Sequence, residues 1–580
     1  MNEMEEVSLV FEGEVFKARK DMLCEHSDYF RAMFSGSYVE NEQQEIKIDV
    51  VDANSMKIIL SYMEIRVIDL FEFSLSTLAD LAVAANFLQI TELITQIEHS
   101  LESQINISNW MEIMMIAENS LYVKLHQLSA AFGLLSFKNM QSEYVPSLHK
   151  LYWYLSHPYL DVSSELDVFK FGLEWISNNE TGADALLITL CCLDIGKLKT
   201  NDLKEMKTLV KDYSDSLGAK VIDCLLELSS GEYGLCITAI ENQKVVLCEM
   251  FTERVYNEVM NLVKDSRSRI NTIEPIVPVW VVKDSKSDLV PHFLYKFSEE
   301  KGFEKWLEVA EKNLWGWHIV AWGLTKLIVI CGEHGRGTGM FMRDVKVYDT
   351  LRKEWSWHGV ELPARRHAGV AVVGDSMYII GGVGGFRVVL DTAIIYDLKK
   401  KTFRNIAKLP DSIQNPAVCS HDNMVYAAGH KDIYRYEEQE NTDSWVKIAN
   451  GDVRMSYMIS YKNYIYCMQN YFSHLHRFMP GVDEKLQLIT YFSNPPSTAC
   501  NLGNRLVVFT RTMCGLTDIL TVEEYTGQSD EEKPKLIWSQ SEPVMVVNDV
   551  AGSCSLVLSI PPLDVPTPSH HKRYLGRYNE

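Results

Sequence analysis

The chain has 580 residues, 47% of them hydrophobic, enough for several packed domains. A formal net charge of −22 argues against nucleic acid as a partner, because phosphate binding needs a basic surface. The chain contains no apolar run of about 18 residues, so no membrane span is predicted. The acidic N-terminus lacks the features of a secretory signal. The 12 scattered cysteines favour reduced thiols. We therefore expect a cytoplasmic protein, with the nucleus as the alternative, and no membrane partner.

The first hundred residues predict a small α/β domain. Alternating apolar residues indicate a hairpin and a later strand, and helical spacing of apolar residues indicates five helices. Ser27 is a typical N-cap for the second helix, and Gly36 a typical end. The elements in order are Val7–Phe16, Asp21–His26, Ser27–Gly36, Glu45–Val50, Ala53–Met63 and two helices within Thr77–Leu101.

Three strings in this segment, Val15–Lys20, Leu23–Phe34 and Leu81–Ile90, resemble the BTB/POZ domain. Ser27–Phe34 carries the most specific part, Ser-x-Tyr-Phe-Arg-Ala-Met-Phe. The family usually has His where this chain has Arg19. Its kelch-linked members usually carry an N-terminal helix that is swapped between dimer partners. Only about six residues precede the first strand, so that helix is expected to be absent. A homodimer through the BTB domain would then use the remaining helical surface.

Residues 106–230 predict an all-helical segment that resembles the BACK domain. The resemblance depends on Asn106–Trp110, on Glu165–Trp175 and on the order of segments along the chain. Residues 231–275 fall outside it and predict a connector, with a hairpin formed by Leu235–Ile240 and Lys244–Cys248. An additional degenerate propeller blade is the alternative.

From residue 276 a four-strand pattern recurs every 40–50 residues, the period of propeller blades. Arg365–Pro410 is the most complete copy and resembles the kelch repeat. In that family the glycines end the second strand in a tight turn, and an aromatic pair fills the space between blades. The structural residues expected from the repeat are Gly332, Gly381, Gly382, Gly429, Tyr348, Trp355, Tyr396 and Phe403. The six second strands are Val279–Val282, Leu327–Cys331, Met377–Gly381, Met424–Ala428, Tyr464–Met468 and Leu506–Phe509.

Six second strands predict a six-bladed β-propeller. The first blade lacks a first strand upstream, and Asp549–Leu558 is left over at the other end, so we expect that strand to close the ring. The fold class is therefore multidomain: an α/β BTB/POZ domain, an all-α BACK domain and an all-β kelch propeller. The expected boundaries are 1–104, 105–230, a connector over 231–275, a propeller over 276–560 and a flexible tail over 561–580.

No catalytic fingerprint occurs in the chain, so we expect a non-catalytic protein without cofactor or metal. Gly332–Gly339 resembles a phosphate loop only superficially, because it lacks Gly-Lys-Ser/Thr and lies between strands. His474 and His476 share a strand face with no third ligand nearby in sequence, which favours a solvated or satisfied pair over a metal site. His570 and His571 lie in the Pro-rich tail, where no structural role is expected.

Tyr38-Val39-Glu40 follows the second helix, where family members that recruit cullin-3 carry a hydrophobic-x-Glu pattern. The resemblance therefore implies cullin-3 binding through Phe34, Tyr38 and Glu40, completed by the helices Ile107–Glu118 and Tyr122–Phe137. An exposed aromatic anchor beside a carboxylate suits such a contact. The alternative is that Tyr38 packs locally and Glu40 is solvated.

The loops on one side of a propeller form its usual binding face. Arginines gathered there can bind the carboxylates of an unknown protein substrate. The alternative is a structural role, since an Arg and a His at the start of the first strand belong to the kelch consensus. The resemblance as a whole implies a substrate adaptor of a cullin-3 RING ubiquitin ligase, and the alternative is an actin-associated scaffold. The candidate substrate-binding residues are Arg336, Arg343, Arg365, Arg366 and Arg387.

Overall fold

The computed structural model divides the chain into two compact units, Met1–Asn271 with Ile560–Glu580, and Thr272–Ser559. None of the helices in the described ranges combines the length and apolarity needed to span a bilayer. The structure describes residues 5–35, 45–179, 181–182, 185–230, 235–281, 291–440, 442–451, 454–469, 471–512, 519–529, 532–541, 545–547 and 551–578.

The N-terminal domain is a small sheet covered by helices. Its strands are β1 (Glu6–Phe11), β2 (Glu14–Arg19) and β3 (Glu45–Lys47), in the order β2-β1-β3 with β3 parallel to β1. Its helices are α1 (Lys20–His26), α2 (Asp28–Ser35), α3 (Ala53–Ile65), α4 (Leu75–Phe87) and α5 (Thr91–Gln104).

Ser27 fixes the start of α2. Its hydroxyl accepts from the N–H of Phe30 (3.1 Å) and donates to the carbonyl of Leu88 (2.6 Å). The same side chain therefore caps α2 and ties it to the end of α4. Asp52 and Ser74 cap α3 and α4 by the same kind of bond to a backbone N–H.

In the described residues of the following segment all the regular structure is helical, and most of these helices pack around one core. The helices are α6 (Trp110–Asn119), α7 (Val123–Leu135), α8 (Leu148–Ser156), α9 (Glu165–Asn179), α10 (Ala185–Cys191), α11 (Thr200–Leu209), α12 (Leu217–Ser230), α13 (Ile237–Asn242), α14 (Lys244–Met250) and α15 (Glu253–Asp265). The core includes Trp110, Phe169 and Trp175 together with residues of α15, all buried.

The predicted hairpin at Leu235–Cys248 is wrong, because helices α13 and α14 occupy that stretch. Ile240 and Leu247 are buried in the core of the helical segment. A short apolar run fits either a strand or one turn of helix, and packing against a helical core selects the helix. The stretch is therefore part of the helical unit and is not a propeller blade.

The described part of the tail, residues 561–578, contains a helix, whereas a flexible segment was expected over 561–580. Helix α16 (Ser569–Leu575) buries Tyr574 and Leu575 in the helical core. Composition alone favoured disorder because of the prolines at 561–568, but the consecutive Tyr574 and Leu575 pack into the core.

Among its described residues, the second unit consists of six larger antiparallel sheets, the blades, and one two-stranded antiparallel sheet. The unit begins with the strands β4 (Ile273–Val281), β5 (Pro291–Ser298) and β6 (Gly302–Lys312). Two short strands, β7 (Leu314–Trp315) and β10 (Glu333–His334), pair with each other. The next sheet, blade 2, contains β8 (His318–Trp322), β9 (Lys326–Ile330), β11 (Val345–Asp349) and β12 (Glu354–His358).

Four further blades follow with the strand order of a meander. Blade 3 is β13 (Gly369–Val373), β14 (Ser376–Ile380), β15 (Ala393–Asp397) and β16 (Thr402–Ile406); blade 4 is β17 (Val418–His421), β18 (Met424–Ala428), β19 (Asp432–Gln439) and β20 (Thr442–Asn450). Blade 5 is β21 (Tyr457–Tyr461), β22 (Tyr464–Met468), β23 (His474–Phe478) and β24 (Gln487–Tyr491); blade 6 is β25 (Pro496–Asn501), β26 (Leu506–Arg511), β27 (Leu520–Tyr525) and β28 (Lys535–Ser539).

The last strands complete blade 1 and the ring. Both β29 (Met545–Val547) and β30 (Cys554–Val557) pair with β4, which makes β30 the innermost strand of that sheet. The inner strands β8, β13, β17, β21, β25 and β30 each contact the next, and β30 contacts β8. The ring is thus a closed six-bladed propeller, in which each sheet covers its neighbour's face.

Candidate functional site

The double glycine of blade 3 lies where two loops meet closely. Gly381 and Gly382 adopt φ of 60° and 95°. A Cβ on Gly382 would lie 2.7 Å from the carbonyl oxygen of Arg366. These glycines are thus required by backbone conformation and by the approach of the loop that connects blades 2 and 3.

The aromatic pairs link neighbouring blades. Tyr348 lies directly opposite Trp355 and Tyr396 opposite Phe403 in the strand register. The Tyr396 hydroxyl lies 3.0 Å from Nδ1 of His358 in blade 2, and burial raises the pKa of this phenol to about 12. The Tyr348 ring lies 5.8 Å from that of Trp306 in blade 1. Each tyrosine thus contacts the preceding blade.

The other two glycines expected from the repeat also lie in tight places. Gly332 has a φ of 111°, and a Cβ there would contact the Leu314 side chain at 2.9 Å. A Cβ on Gly429 would lie 2.2 Å from Oδ2 of Asp411. Blades 2 and 4 therefore keep only one glycine of the pair, Gly332 and Gly429, and each of these glycines still lies close to a neighbouring side chain.

The glycine-rich loop after β9 surrounds a carboxylate of its own. The N–H groups of Gly337 and Gly339 donate to the buried Glu333 carboxylate at 3.1 and 2.6 Å. Burial alone would raise the pKa of Glu333, but these bonds and the Arg366 guanidinium outweigh it and hold the pKa below its usual value. The amides that could bind a phosphate are thus engaged, which excludes a phosphate loop here.

Three of the five candidate arginines are engaged with the protein itself. The guanidinium of Arg365 is buried and donates to the carbonyls of Gly381 and Thr392, both at 2.9 Å. Arg366 is paired with the buried Glu333. Arg343 is exposed but paired with Glu361. These contacts within the loops favour a structural role for Arg365 and Arg366 over a binding role.

The other two candidates, Arg336 and Arg387, are exposed on adjacent loops of blades 2 and 3. The Arg336 guanidinium lies over the Trp315 ring, 5.1 Å from its centroid. A Cβ added to Gly337, the residue after Arg336, would lie 3.5 Å from a guanidinium nitrogen of Arg387, so the two loops are in contact. Positive charge is therefore concentrated where these loops meet.

Sequence reasoning missed two exposed apolar side chains on the same two loops. Phe386 is fully exposed, and Met340 is more than half exposed. Phe386 and Arg387 both have left-handed φ, 54° and 61°, which is costly for residues with a Cβ. The neighbouring Gly384-Gly385 was the only sequence signal. We call Trp315, Arg336, Met340, Phe386 and Arg387 the loop surface.

On the BTB domain only one of the three predicted cullin-contacting residues is described. Phe34 lies on α2, partly buried, stacked on Phe30 with ring centroids 6.1 Å apart. Nζ of Lys20 lies 5.3 Å from the centre of the Phe34 ring. Tyr38 and Glu40 lie outside the described residues.

The helices α6 and α7 pack against each other directly after this domain. The turn between them exposes Leu121 and Val123, each more than two-thirds exposed. Leu121 holds a left-handed φ of 60°. Two neighbouring apolar side chains in water form a small apolar patch at the joint of the two helices.

Comparison with known proteins matches two families to this chain. The BTB/POZ domain matches residues 1–105 and the kelch motif matches residues 364–410. Together with the helical segment between them, these matches define a protein that joins a BTB domain to a kelch propeller. The chain thus carries the combination of domains found in BTB–kelch proteins.

Similar proteins carry kelch-like names. Kelch-like protein 26 of Danio rerio is 25% identical over 35% of this chain and 34% of its own length. Kelch-like protein 22 of Homo sapiens is 33% identical over 29% of this chain and 26% of its own length. Kelch-like protein 15 of Gallus gallus is 27% identical over 30% of this chain and 36% of its own length. The chain thus covers only about a third of the length of these relatives.

Proposed function

We propose that this protein is a substrate-recruiting adaptor of a cullin-3 ubiquitin ligase. In this function the BTB domain and the helices after it bind the cullin, and the propeller binds the substrate. The observation that carries the proposal is the joining, in one chain, of a BTB domain to a closed kelch propeller with an exposed loop surface.

The cullin contact is proposed for the end of α2 and the joint of α6 and α7. Phe34, which precedes Tyr38 and Glu40 in the sequence, packs on Phe30 and the BTB core. Leu121 and Val123 offer apolar area for a peptide segment of the partner. An aromatic anchor with neighbouring apolar contacts is typical of a binding hot spot.

The substrate contact is proposed for the loop surface. Phe386 offers a large apolar side chain that loses water on binding, and Arg336 and Arg387 offer charged donors for carboxylates. Arg336 is oriented by the Trp315 ring. The expected ligand is an acidic peptide segment with an apolar anchor residue.

The adaptor contributes proximity and no bond chemistry. Because one chain binds both partners, a substrate lysine meets the ubiquitin-carrying conjugating enzyme within a single complex, so the encounter is effectively intramolecular. The rate gain then depends on the affinity of each surface and on the geometry between them.

A pulldown with the N-terminal domain of cullin-3 tests the proposal. The double variant Tyr38→Ala with Glu40→Ala should lose cullin binding while its melting temperature stays at the wild-type value. Phe71→Ala is a matched control, since Phe71 is an exposed aromatic of the same domain outside α2. Wild-type-level binding by the double variant contradicts the site, and no binding by the wild type contradicts the ligase function.

A further inference from the structure

The C-terminal helix brings two histidines to a buried cysteine of the helical unit. Sγ of Cys191, at the end of α10, and one ring nitrogen each of His570 and His571 lie within 4.8 Å of one another. All three residues belong to the same compact unit. Cys191 is a free thiol, and both Cys191 and His571 are buried.

Each imidazole uses one nitrogen and leaves the other buried without a partner. Nε2 of His570 lies 2.7 Å from the Glu258 carboxylate, and Nδ1 of His571 lies 2.7 Å from the Tyr152 hydroxyl. The remaining atoms, Nδ1 of His570 and Nε2 of His571, have no hydrogen-bond partner among the described residues. A buried, unpaired imidazole nitrogen is costly unless something binds it.

Asp265, the last residue of α15, faces both free nitrogens. Its Oδ2 lies 3.7 Å from Nδ1 of His570 and 3.9 Å from Nε2 of His571. These distances are too long for hydrogen bonds. They are close to the spacing of roughly 3.3–3.7 Å between neighbouring ligand atoms of a tetrahedral zinc ion, given bonds of about 2.0–2.3 Å.

We propose that Cys191, Asp265, His570 and His571 form a structural zinc site. Thiolate, imidazole and carboxylate are the ligands that Zn²⁺ prefers. Cys191, His570 and His571 supply three of them, and Asp265, which lies near both histidines, would supply the fourth. The Glu258 carboxylate accepts the Nε2–H of His570 and thereby leaves Nδ1 as the ligand atom, the arrangement common around zinc-bound histidines. Binding displaces the thiol proton of Cys191 to solvent.

The site would join the C-terminal helix to the helical unit. Helix α16 is short and is held by few apolar side chains, mainly Tyr574 and Leu575. A metal that binds the folded state alone stabilises it. The site is independent of the proposed ligase function, because its residues lie outside α2, outside the α6–α7 turn and outside the loop surface.

Metal analysis of the full-length chain tests this site. Protein purified without a histidine tag is stripped with a chelator, loaded with Zn²⁺ and desalted. We expect retention of about one Zn²⁺ per chain. After replacement by Co²⁺ we expect the absorption bands of a tetrahedral ion together with a sulfur-to-cobalt charge-transfer band. A wild-type protein that retains no Zn²⁺ overturns the proposal.

Variants locate the metal. Cys191→Ser should lose the charge-transfer band and most of the metal, whereas Cys192→Ser, a change at the adjacent buried cysteine, should keep both. Glu258→Gln should weaken binding about 10–100-fold, because it removes the carboxylate that orients His570. Equal retention by Cys191→Ser and wild type overturns the site. If His571→Gln does not fold, Cys191→Ser and its cobalt spectrum remain decisive.

Discussion

Arg366 and Glu333 form a buried ion pair that joins the loop between blades 2 and 3 to the glycine-rich loop of blade 2. The carboxylate also accepts two backbone N–H groups. An arginine that was a candidate for substrate binding is thereby used to hold the loops that present Arg336 and Arg387.

Removing the carboxylate should destabilise the propeller. Glu333→Ala leaves Arg366, whose side chain is 12% exposed, without its partner, and we expect a loss of about 3–5 kcal/mol in the free energy of unfolding, measured by chemical denaturation. Glu361→Ala removes the partner of the exposed Arg343 and should cost less than about 1 kcal/mol. Equal losses in the two variants would contradict the structural role of Arg366.

A methyl group at the double glycine should be much more harmful than at an open turn. Gly382 and Gly503 have similar φ, 95° and 87°, but only Gly382 has atoms within 4 Å of an added Cβ. Gly503→Ala should cost about 1–2 kcal/mol from backbone conformation alone. Gly382→Ala should cost more, because the chain around Arg366 must move, and thermal unfolding of both variants measures the difference.

The loop surface should lose its partner without losing its fold. Phe386→Ala and Arg387→Glu should each lower partner recovery at least about tenfold, the effect of a hot-spot residue. Melting temperatures should stay at the wild-type value because both side chains are exposed. Trp357→Ala, at another exposed aromatic on the outer strand of blade 2, is the control. Unchanged recovery would mean that the substrate binds elsewhere.

His367 should make the propeller less stable in acid. Burial, followed by the nearby Arg366 and Arg336, lowers the pKa of His367 to about 4, below its ordinary 6.5. His367 binds a proton less readily in the folded state than in the unfolded state. The contribution of the neutral side chain to the free energy of unfolding is therefore complete above pH 6.5 and is lost progressively as pH falls toward 4. Chemical denaturation between pH 7 and 5 should show that the free energy of unfolding depends less on pH in His367→Gln than in the wild type. Parallel pH curves for the two proteins would contradict this role of His367.

Arg269 should be essential to the helical unit. It binds the buried Glu165 through two nitrogens at 2.8 and 2.9 Å and donates to the carbonyls of Leu155, His157 and Cys192. Arg269→Met should cost about 3–5 kcal/mol by leaving Glu165 unpaired. The double variant with Glu165→Met should recover part of that loss in chemical denaturation. A double variant less stable than Arg269→Met would contradict this account.

Local strings were enough to predict the class of fold. Ser27–Phe34 indicated the BTB domain and Arg365–Pro410 the kelch repeat, because both depend on residues close together in sequence, and the predicted fold class is confirmed. The interpretation was wrong at 235–248 and in the tail, where short apolar runs fit more than one structure and the helical core selects among them.

What only the tertiary structure decided is which polar side chains are free. Sequence placed Arg336, Arg365, Arg366 and Arg387 in loops, but their exposure depends on partners distant along the chain, such as Thr392 and Glu333. His570 and His571 meet Cys191 across almost 380 residues, a distance that no local pattern spans. Residue types and local periodicity are properties of the sequence, whereas burial and long-range pairing arise only when the chain closes on itself.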